Sequence, residues 1–311
     1  MSGSRAEGLK KNLRFQETKC QFSHSREGLR VVATILNRFS AMQQPVTPST
    51  TDAISNEGSV VAVVLGARGG AGKEVVKALL GQPSVREVRA VVRDPSKVAA
   101  GTFPEDPRCK ILAGNLQTST ELELKALIDG STHVFNTAAG RSYETCVAVD
   151  CNAVGRTAEC AKAAGCQRYL LCSSQLVDPI NKNVMIRLIL NNVITGKFFK
   201  KQKGAMDLKA DGEKLLRRSG MEYTIVRPGR LTFGPALSGN PKVGQTNSHF
   251  LKGAPTSRAD LAAVCVLAAL SPQCAGTTFE LACEKAKGAA VEAPTERIFD
   301  GLDTEWDSKM I

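Results

Sequence analysis

Four glycines lie close together behind an apolar run and are suited to binding a phosphate group through the backbone. They are Gly66, Gly69, Gly70 and Gly72, and they separate the run Val60–Leu65 from a segment with apolar residues at helical spacing. Without side chains the backbone can approach a diphosphate closely, and the start of a helix offers N–H donors and positive dipole. Two spacings fit, Gly-x-x-Gly-x-x-Gly and Gly-x-x-x-Gly-x-Gly. The pattern predicts a nucleotide site, and a plain strand-to-helix turn is the alternative.

The charged residues after the second apolar run bear on which nucleotide is bound. Arg93 is the first residue after the run that ends at Val92, and Asp94 follows it. At this position a carboxylate selects the ribose 2′-hydroxyl of NAD, whereas a cation selects the 2′-phosphate of NADP. A guanidinium can bind phosphate oxygens through two parallel N–H bonds. We therefore predict NADP(H), with Arg93 as the main ligand assisted by Arg68 and Lys97, and NAD bound through Asp94 as the alternative.

Small and polar residues follow the third and fourth predicted strands. Asn115 is placed to hydrogen-bond adenine, with an ordinary loop turn as the alternative. Ala138, Ala139 and Gly140 come directly after an apolar strand. Residues this small allow a ribose and a pyrophosphate to pass close to the backbone. Both positions are at strand ends, where an open parallel sheet binds its ligands.

The ends of the fifth and sixth predicted strands complete the candidate site. Ser173 and Ser174 place two hydroxyl groups there. Pro228 ends the sixth strand beside the expected nicotinamide position, because proline has no N–H to donate to a strand ladder. Asp260, just after Arg258, lies at a predicted helix start, where a carboxylate complements the helix dipole, and we interpret it as structural.

Strands and helices alternate along most of the chain. Strands are predicted at 60–65, 87–92, 109–113, 132–136, 168–172, 222–227 and 277–282. Helices are predicted at 70–80, 119–129, 143–165, 184–218 with a break near Gly204, and 257–270. This alternation predicts an α/β fold: a doubly wound, mostly parallel, Rossmann-like sheet of about seven strands with helices on both faces.

Composition divides the chain into three parts. Residues 1–57 form a basic extension that ends in Ser/Thr/Pro/Gln-rich sequence, which fits either a transit peptide with a linker or a surface tail. Residues 58–283 form the predicted nucleotide-binding domain, and residues 284–311 form an acidic tail. The net charge of +11 would suit nucleic acid, anionic lipid or acidic partners, but we favour a cationic surface that also receives a phosphorylated cofactor, and aromatic content of only 5% disfavours a base-stacking surface.

The cysteine and histidine pattern excludes common metal and disulfide classes. The ten cysteines contain no Cys-x-x-Cys pair and the three histidines stand apart, so no zinc-site spacing is present. Several cysteines lie within apolar runs, where they act as small hydrophobic residues. No apolar run reaches the roughly 20 residues of a membrane-spanning helix.

Taken in order, these motifs resemble the short-chain dehydrogenase/reductase superfamily, in particular its atypical NmrA-like NAD(P)-binding branch, which includes plastid proteins. The matching segments are Gly66–Gly72, Val92–Lys97, Asn136–Gly140, Leu171–Ser174, Ser219–Gly229 and Thr256–Ala262. The resemblance covers about 58 to 283 and implies a Rossmann-like fold with a bound dinucleotide. It also raises the expectation of a plastid or other organelle, with the cytoplasm as the alternative.

The resemblance implies a catalytic set that this chain only partly contains. Active reductases of the superfamily use a Ser, matched here by Ser173 or Ser174, and a Tyr-x-x-x-Lys on the next long helix. Lys209 falls where the Lys is expected and is a candidate ribose ligand, with a solvated helix lysine as the alternative. Four residues earlier stands Ala205 instead of Tyr, and no Tyr-x-x-x-Lys occurs in the chain. Conventional carbonyl reduction with a tyrosine acid is therefore not expected.

Three functions remain open from the sequence. The first is an NADPH-dependent oxidoreductase acting on an apolar, flavin- or quinone-like molecule. The second is a non-catalytic protein that binds NADP(H) and reports redox state to a protein partner. The third and weakest is RNA or membrane association through basic segments. Residues 181–203, apolar and then rich in lysine, could line the substrate pocket, dock a partner or pack on the domain itself.

Overall fold

A strongly apolar strand forms the centre of the sheet. In the computed structural model, β1 (Val60–Leu65) is buried along its whole length, as a strand covered on both faces must be. The structure describes residues 58–195, 203–237, 239–245, 255–284, 291, 293–304 and 306. These belong to one compact unit, Ser55–Ile311. The predicted extension at 1–57 lies outside the described residues.

The elements follow the predicted alternation. In chain order they are β1, α1 (Gly70–Leu80), β2 (Val85–Val92), β3 (Cys109–Ala113), α2 (Glu121–Ile128), β4 (His133–Asn136), α3 (Tyr143–Thr145), a π-helix (Cys146–Asn152), α4 (Ala153–Ala163) and β5 (Arg168–Cys172). There follow α5 (Met185–Thr195), α6 (Ala205–Arg218), β6 (Tyr223–Pro228), β7 (Leu231–Thr232), β8 (Asn240–Gly244), β9 (Thr256–Ser257), α7 (Arg258–Leu270) and β10 (Thr277–Glu284).

The main sheet has the order β3-β2-β1-β4-β5-β6-β10-β8. Every pairing is parallel except that of β8 with β10, which is antiparallel. Chain order reverses between β1 and β4, which makes this pair the topological switch point. The predicted Rossmann-like α/β fold is confirmed.

The sheet contains one strand more than predicted. All seven predicted strands are present, and β8 adds an eighth along the edge of β10. Its sequence, Asn-Pro-Lys-Val-Gly, has no apolar run that would mark a buried strand. An edge strand needs none, and it tolerates Pro241, which is buried, because within the described residues no further strand pairs with the outer side of β8.

Helices cover both faces of the sheet. On one face α1 packs against α7 over a core that includes Val64, Leu79 and Val264. On the other, α2, α4 and α6 bury a second core that includes Leu124 and Leu216. The C-terminal segment, predicted as an acidic tail, also reaches the first core. There Phe299 is buried with its ring 5.5 Å from that of Phe279.

Candidate functional site

The glycine-rich corner between β1 and α1 brings three segments of backbone together. Gly66 has φ +76°, and a Cβ there would lie 2.8 Å from the Cα of Ala138 at the end of β4. A Cβ on Gly72 would lie 2.4 Å from the Gly66 carbonyl oxygen. Both positions therefore require glycine, one for its conformation and both for close approach. The corner lies directly at the β1/β4 switch point.

The backbone N–H groups in the first turn of α1 have no side-chain hydrogen-bond acceptor at the N-cap. Its N-cap is Gly69, no side chain caps the helix, and no acidic residue lies in the first turn. The Gly69 N–H donates to the Gly66 carbonyl at 2.8 Å, which closes the turn. An uncapped N-terminus without a nearby carboxylate keeps its positive dipole and N–H groups for an anion.

Three cations gather where β2 ends. Arg93 and Arg68 are exposed, and Arg68 Nη1 donates to the Lys97 carbonyl at 3.1 Å. The Asp94 carboxylate, the alternative NAD ligand, is bonded to neighbouring residues of its own loop. It accepts from the Ser96 backbone N–H at 3.1 Å and lies 3.1 Å from the Lys97 Nζ. Hydrogen bonds from Ser96, then from Lys97, lower the pKa of Asp94. The carboxylate is thus charged and already bonded.

Arg258, to which the sequence assigned no ligand role, reaches over the same corner. Its guanidinium lies 3.9 Å from the ring centroid of Phe233, and a Cβ on Gly70 would come within 2.6 Å of its Nε. The Nη1 atom is buried, and it has no hydrogen-bond partner among the described residues. A buried donor left unbonded costs about 1–3 kcal/mol. The site therefore contains a donor that a bound phosphate could satisfy.

The neighbouring Asp260 is structural, as the sequence suggested. Its carboxylate accepts the Leu237 backbone N–H at 2.6 Å, and its own N–H donates to the Ser257 hydroxyl at 2.9 Å.

Lys209 lies in a small depression beside the switch point, paired with a residue that the sequence did not single out. Lys209 Nζ is 2.6 Å from Asp150 Oδ1, and Asp150 Oδ2 accepts the Gly140 N–H at 2.9 Å. Burial, the largest single effect, lowers the pKa of Lys209, but the charge and the hydrogen bond of Asp150, with smaller contributions from Cys172 and Cys146, together leave this pKa raised. The same pocket is lined by Ala138, Val154, Leu171, Cys172 and Ser173. Lys209 is therefore a half-buried cation paired with Asp150, and its contact with a cofactor ribose stays a prediction.

The hydroxyl of Ser173 is tied to a buried ionic network. Its Oγ donates to Glu213 Oε1 at 2.6 Å, and Glu213 Oε2 pairs with Arg227 Nη2 at 2.7 Å. Arg227 also pairs with Asp178 at 3.2 Å. Burial, the largest single effect, raises the pKa of Glu213, but the charge and hydrogen bonds of Arg227, the charge of Arg217 and the hydrogen bond from Ser173 together hold this pKa below its usual value. Ser174 is half-buried at the start of a short 3₁₀ turn.

The three tyrosines make contacts elsewhere in the fold. The Tyr169 hydroxyl is bonded to Asn136 at 2.8 Å and to Thr157 at 2.7 Å, and burial raises its pKa to about 12. Tyr223 lies under the guanidinium of Arg217. Tyr143 packs beside the apolar cluster that surrounds the start of α6. At the tyrosine position of the superfamily motif, Ala205 is the buried first residue of α6.

The remaining predicted ligands lie at strand ends, as expected. Asn115 follows β3, and its side-chain oxygen accepts the Gln117 N–H at 3.2 Å, so the side chain also forms the loop turn. Ala139 is exposed after β4, whereas Pro228 is buried as the last residue of β6. Contact with a cofactor stays a prediction for each of them.

Other kinds of site are not evident in the described part of the chain. No group of three or more His, Cys, Asp or Glu residues there is placed to hold a metal ion. None of the helices described combines the length and apolar character that crossing a bilayer requires.

Sequence comparison places this geometry in a known family. Residues 66–272 match a family described as NAD(P)H-binding. An uncharacterized chloroplastic protein of Arabidopsis thaliana is 29% identical over 175 residues. That match spans 55% of this chain and 59% of the relative.

Solved structures share the fold. An oxidoreductase of Lactococcus lactis superposes with a TM-score of 0.58 at 18% identity, covering 78% of this chain and 96% of its own. An anaerobilin reductase of Escherichia coli O157:H7 gives 0.56 at 22%, covering 74% and 100%. A short-chain dehydrogenase/reductase of Veillonella parvula, solved with NADP, gives 0.53 at 15%, covering 76% and 98%. With two thirds of its residues inside the family match and a Rossmann-like sheet around them, the chain belongs to the NAD(P)H-binding family.

Proposed function

We propose that this protein binds NADP(H) in preference to NAD(H) and acts as an oxidoreductase without the usual tyrosine acid. The observation that carries the cofactor choice is at the end of β2. There the Asp94 carboxylate is bonded within its own loop, while the Arg93 side chain is exposed. A 2′-phosphate would meet cations, whereas a 2′-hydroxyl would find its carboxylate occupied.

The residues present fit a dinucleotide diphosphate. The uncapped start of α1 lies beside the Arg258 side chain, whose Nε is the atom nearest to Gly70 and whose Nη1 is buried and unbonded, so backbone and guanidinium donors are close together at one corner. From this corner we assign the cofactor contacts by segment. The diphosphate would be held by Gly66, Gly69, Gly70, Gly72 and Arg258. The 2′-phosphate would be bound by Arg93, Arg68 and Lys97, adenine by Asn115, and the nicotinamide ribose by Lys209. The remaining predicted contacts, which would line the cofactor site, are Ala138, Ala139, Gly140 and Pro228.

The chain's own contribution to chemistry centres on Lys209 and Ser173. A bound dinucleotide would supply hydride transfer. Lys209 Nζ keeps its proton at neutral pH because Asp150 faces it at 2.6 Å. The Ser173 proton is engaged by Glu213, so this hydroxyl can accept a hydrogen bond from a substrate but is poorly placed to donate one. We infer that the substrate is apolar and of the flavin or quinone type, with protons taken from solvent.

A second candidate function is that of a redox-sensing protein that binds NADP(H) without turning it over. The observation that favours it is the buried methyl group of Ala205 where active relatives place the phenol. In this case the reduced and oxidised cofactor would change affinity for a protein partner. The chloroplastic relative supports a plastid location for either function.

Titration with NADPH, NADH and 2′-phospho-ADP-ribose tests the cofactor choice. Arg93→Ala should weaken NADPH by about 1–3 kcal/mol, the scale of a charged hydrogen bond, and leave NADH nearly unchanged. Arg86→Ala is the matched control, since Arg86 is exposed on the same strand far from the ligand end. Equal losses for both nucleotides would contradict the assignment.

Turnover separates the two functions. NADPH oxidation should be followed with a panel of quinones, flavins and aldehydes. Oxidation of NADPH by a quinone or flavin, lost in Lys209→Met, supports the oxidoreductase. Tight NADPH binding with no oxidation by any of the panel, together with a stable partner released by NADPH, supports the sensor.

A further inference from the structure

Helix α5 (Met185–Thr195) buries polar residues and exposes apolar ones, which is the reverse of an ordinary surface helix. Its fully buried residues are polar: Arg187, Asn191 and Thr195, spaced four apart on one face. The opposite face is apolar and open to solvent. Together with the preceding Ile180 we call it the outward apolar face, formed by Ile180, Met185, Ile186, Leu188, Ile189 and Val193. Ile180 is 75% exposed and Val193 74%.

The inward polar residues fix this orientation. Arg187 donates to the Val177 carbonyl at 3.2 Å and pairs with Asp207 at 2.8 Å, while only 4% of its side chain is exposed. Asn191 accepts the Met206 backbone N–H at 2.8 Å. Rolling the helix to hide its apolar residues would separate the buried Arg187 guanidinium from the half-buried Asp207 carboxylate, which is costly. The apolar face is therefore held outward by specific bonds.

Such a face needs an occupant, and the charges around it indicate which. Exposed apolar residues that adjoin one another mark interaction sites on soluble proteins. Residues 179–206 contain no Asp or Glu, and five lysines flank the helix on both sides in the sequence: Lys182, Lys197, Lys200, Lys201 and Lys203. Lys182 is exposed, and Lys203 pairs with Asp211 at 2.6 Å. An apolar helix face within a basic, acid-free stretch of sequence is the pattern of a helix that lies in the surface of an anionic bilayer.

We propose that the outward apolar face of α5 docks on an anionic lipid surface, with the helix lying flat in the headgroup region. The helix has 11 residues. It is therefore about 16 Å long, too short to cross a hydrocarbon core of roughly 30 Å. A second copy of this chain is a poorer occupant, because a twofold interface would bring together two copies of the same basic, acid-free stretch of sequence.

Vesicle co-sedimentation of the full chain tests this proposal. The wild type should pellet with vesicles of phosphatidylcholine and phosphatidylglycerol in equal parts and remain largely in solution with phosphatidylcholine alone. Combining Ile186→Ser, Ile189→Ser and Val193→Ser should lower the partition constant by roughly tenfold or more. Leu122→Ser is the matched control, because Leu122 is 77% exposed on α2 and should leave pelleting unchanged.

Single substitutions keep the test independent of folding of the triple variant. Ile189→Glu should also reduce pelleting, because a carboxylate is repelled by the anionic surface. Lys182→Gln should lower binding to the anionic vesicles about fivefold, and Lys110→Gln, an exposed lysine elsewhere, should not. Each variant should bind NADPH like the wild type, which separates this proposal from that of the cofactor site.

Several results would overturn the proposal. A wild type that stays in solution with anionic vesicles would do so, as would a triple variant that pellets normally. Pelleting lost on deletion of residues 1–57 but kept in the triple variant would move the contact to the extension. A change from dimer to monomer in the triple variant without loss of vesicle binding would assign the face to a second copy, and stable capture of an acidic protein by the wild type alone would assign it to a protein partner.

Discussion

The Asp150–Lys209 pair allows a prediction with a distinctive pH dependence. Asp150→Asn removes the charge opposite a lysine whose side chain is 16% exposed, while the new amide can still accept the Gly140 N–H. Stranding one partner of a buried pair costs about 3–5 kcal/mol, and the remaining exposure of Lys209 brings this to roughly 2–4 kcal/mol at pH 7. At about 2–4 °C per kcal/mol for a domain of this size, the midpoint of thermal unfolding should fall by roughly 4–16 °C.

The sign of the pH effect follows from the Lys209 ammonium. In the wild type its raised pKa stabilises the fold below the unfolded value, and this contribution is lost only as pH rises through the folded pKa. In Asp150→Asn, burial acts alone and depresses that pKa. The folded variant then binds fewer protons than the unfolded chain, so its stability increases with pH up to about 10.4, the unfolded value. The deficit relative to wild type should therefore shrink between pH 7 and pH 9.5.

Thermal unfolding followed by circular dichroism at both pH values measures this. The double variant Asp150→Asn with Lys209→Met leaves no buried charge and should recover most of the loss. Glu74→Gln is the surface control, because its partner Lys77 is 53% exposed and such pairs contribute under about 1 kcal/mol. If the single and double variants lost the same stability, and the loss were independent of pH, the buried-ammonium explanation would be refuted.

Further predictions concern the corner, the core and the second buried network. Gly66→Ala should abolish nucleotide binding and lower stability, since φ is +76° and the new Cβ would lie 2.8 Å from backbone; calorimetric titration and thermal unfolding report the two effects. Arg258→Ala should weaken NADPH and NADH alike by about 1–3 kcal/mol, because the proposed contact is with the diphosphate that both cofactors share, whereas loss for NADPH alone would contradict this placement. Phe299→Ala should cost about 3–5 kcal/mol in urea unfolding, and a change under about 1 kcal/mol would show that the C-terminal segment does not complete the core. Glu213→Gln should flatten the acid limb of the stability curve, because the depressed Glu213 pKa gives stability that is present above the unfolded value and lost as pH falls through the folded one; an unchanged acid limb would argue against the ion pairing.

Local sequence predicted the sheet and the glycine-rich corner between β1 and α1, because both depend on short-range patterns. The apolar run Val60–Leu65 and the glycines after it encode strand, turn and helix within a few residues. The strand β8 was missed because an edge strand can be polar throughout. Its sequence, Asn240–Gly244, has no alternation that distinguishes it from a loop.

Two parts of the site depend on partners distant in sequence and were not predictable from local pattern. Arg258 stacks on Phe233, which lies 25 residues earlier, and nothing in the motif around Arg258 announces that contact. Asp150 meets Lys209 across 59 residues, from within a π-helix that the periodicity of an ordinary helix does not anticipate.

The orientation of α5 shows a different limit. Its apolar residues predicted burial or docking but could not say which face turns inward. The decision is made by Arg187, whose carbonyl and carboxylate partners at Val177 and Asp207 become neighbours only in the folded chain.

Pro241 has a consequence for how copies of this protein can assemble. Pro241 belongs to β8, the outermost strand of the main sheet among the described residues, and pairs with Cys283 of β10. A proline has no backbone N–H to donate to a further strand. A strand added from another molecule would therefore receive no backbone hydrogen bond from Pro241. This edge of the described sheet is therefore a poor template for a further strand.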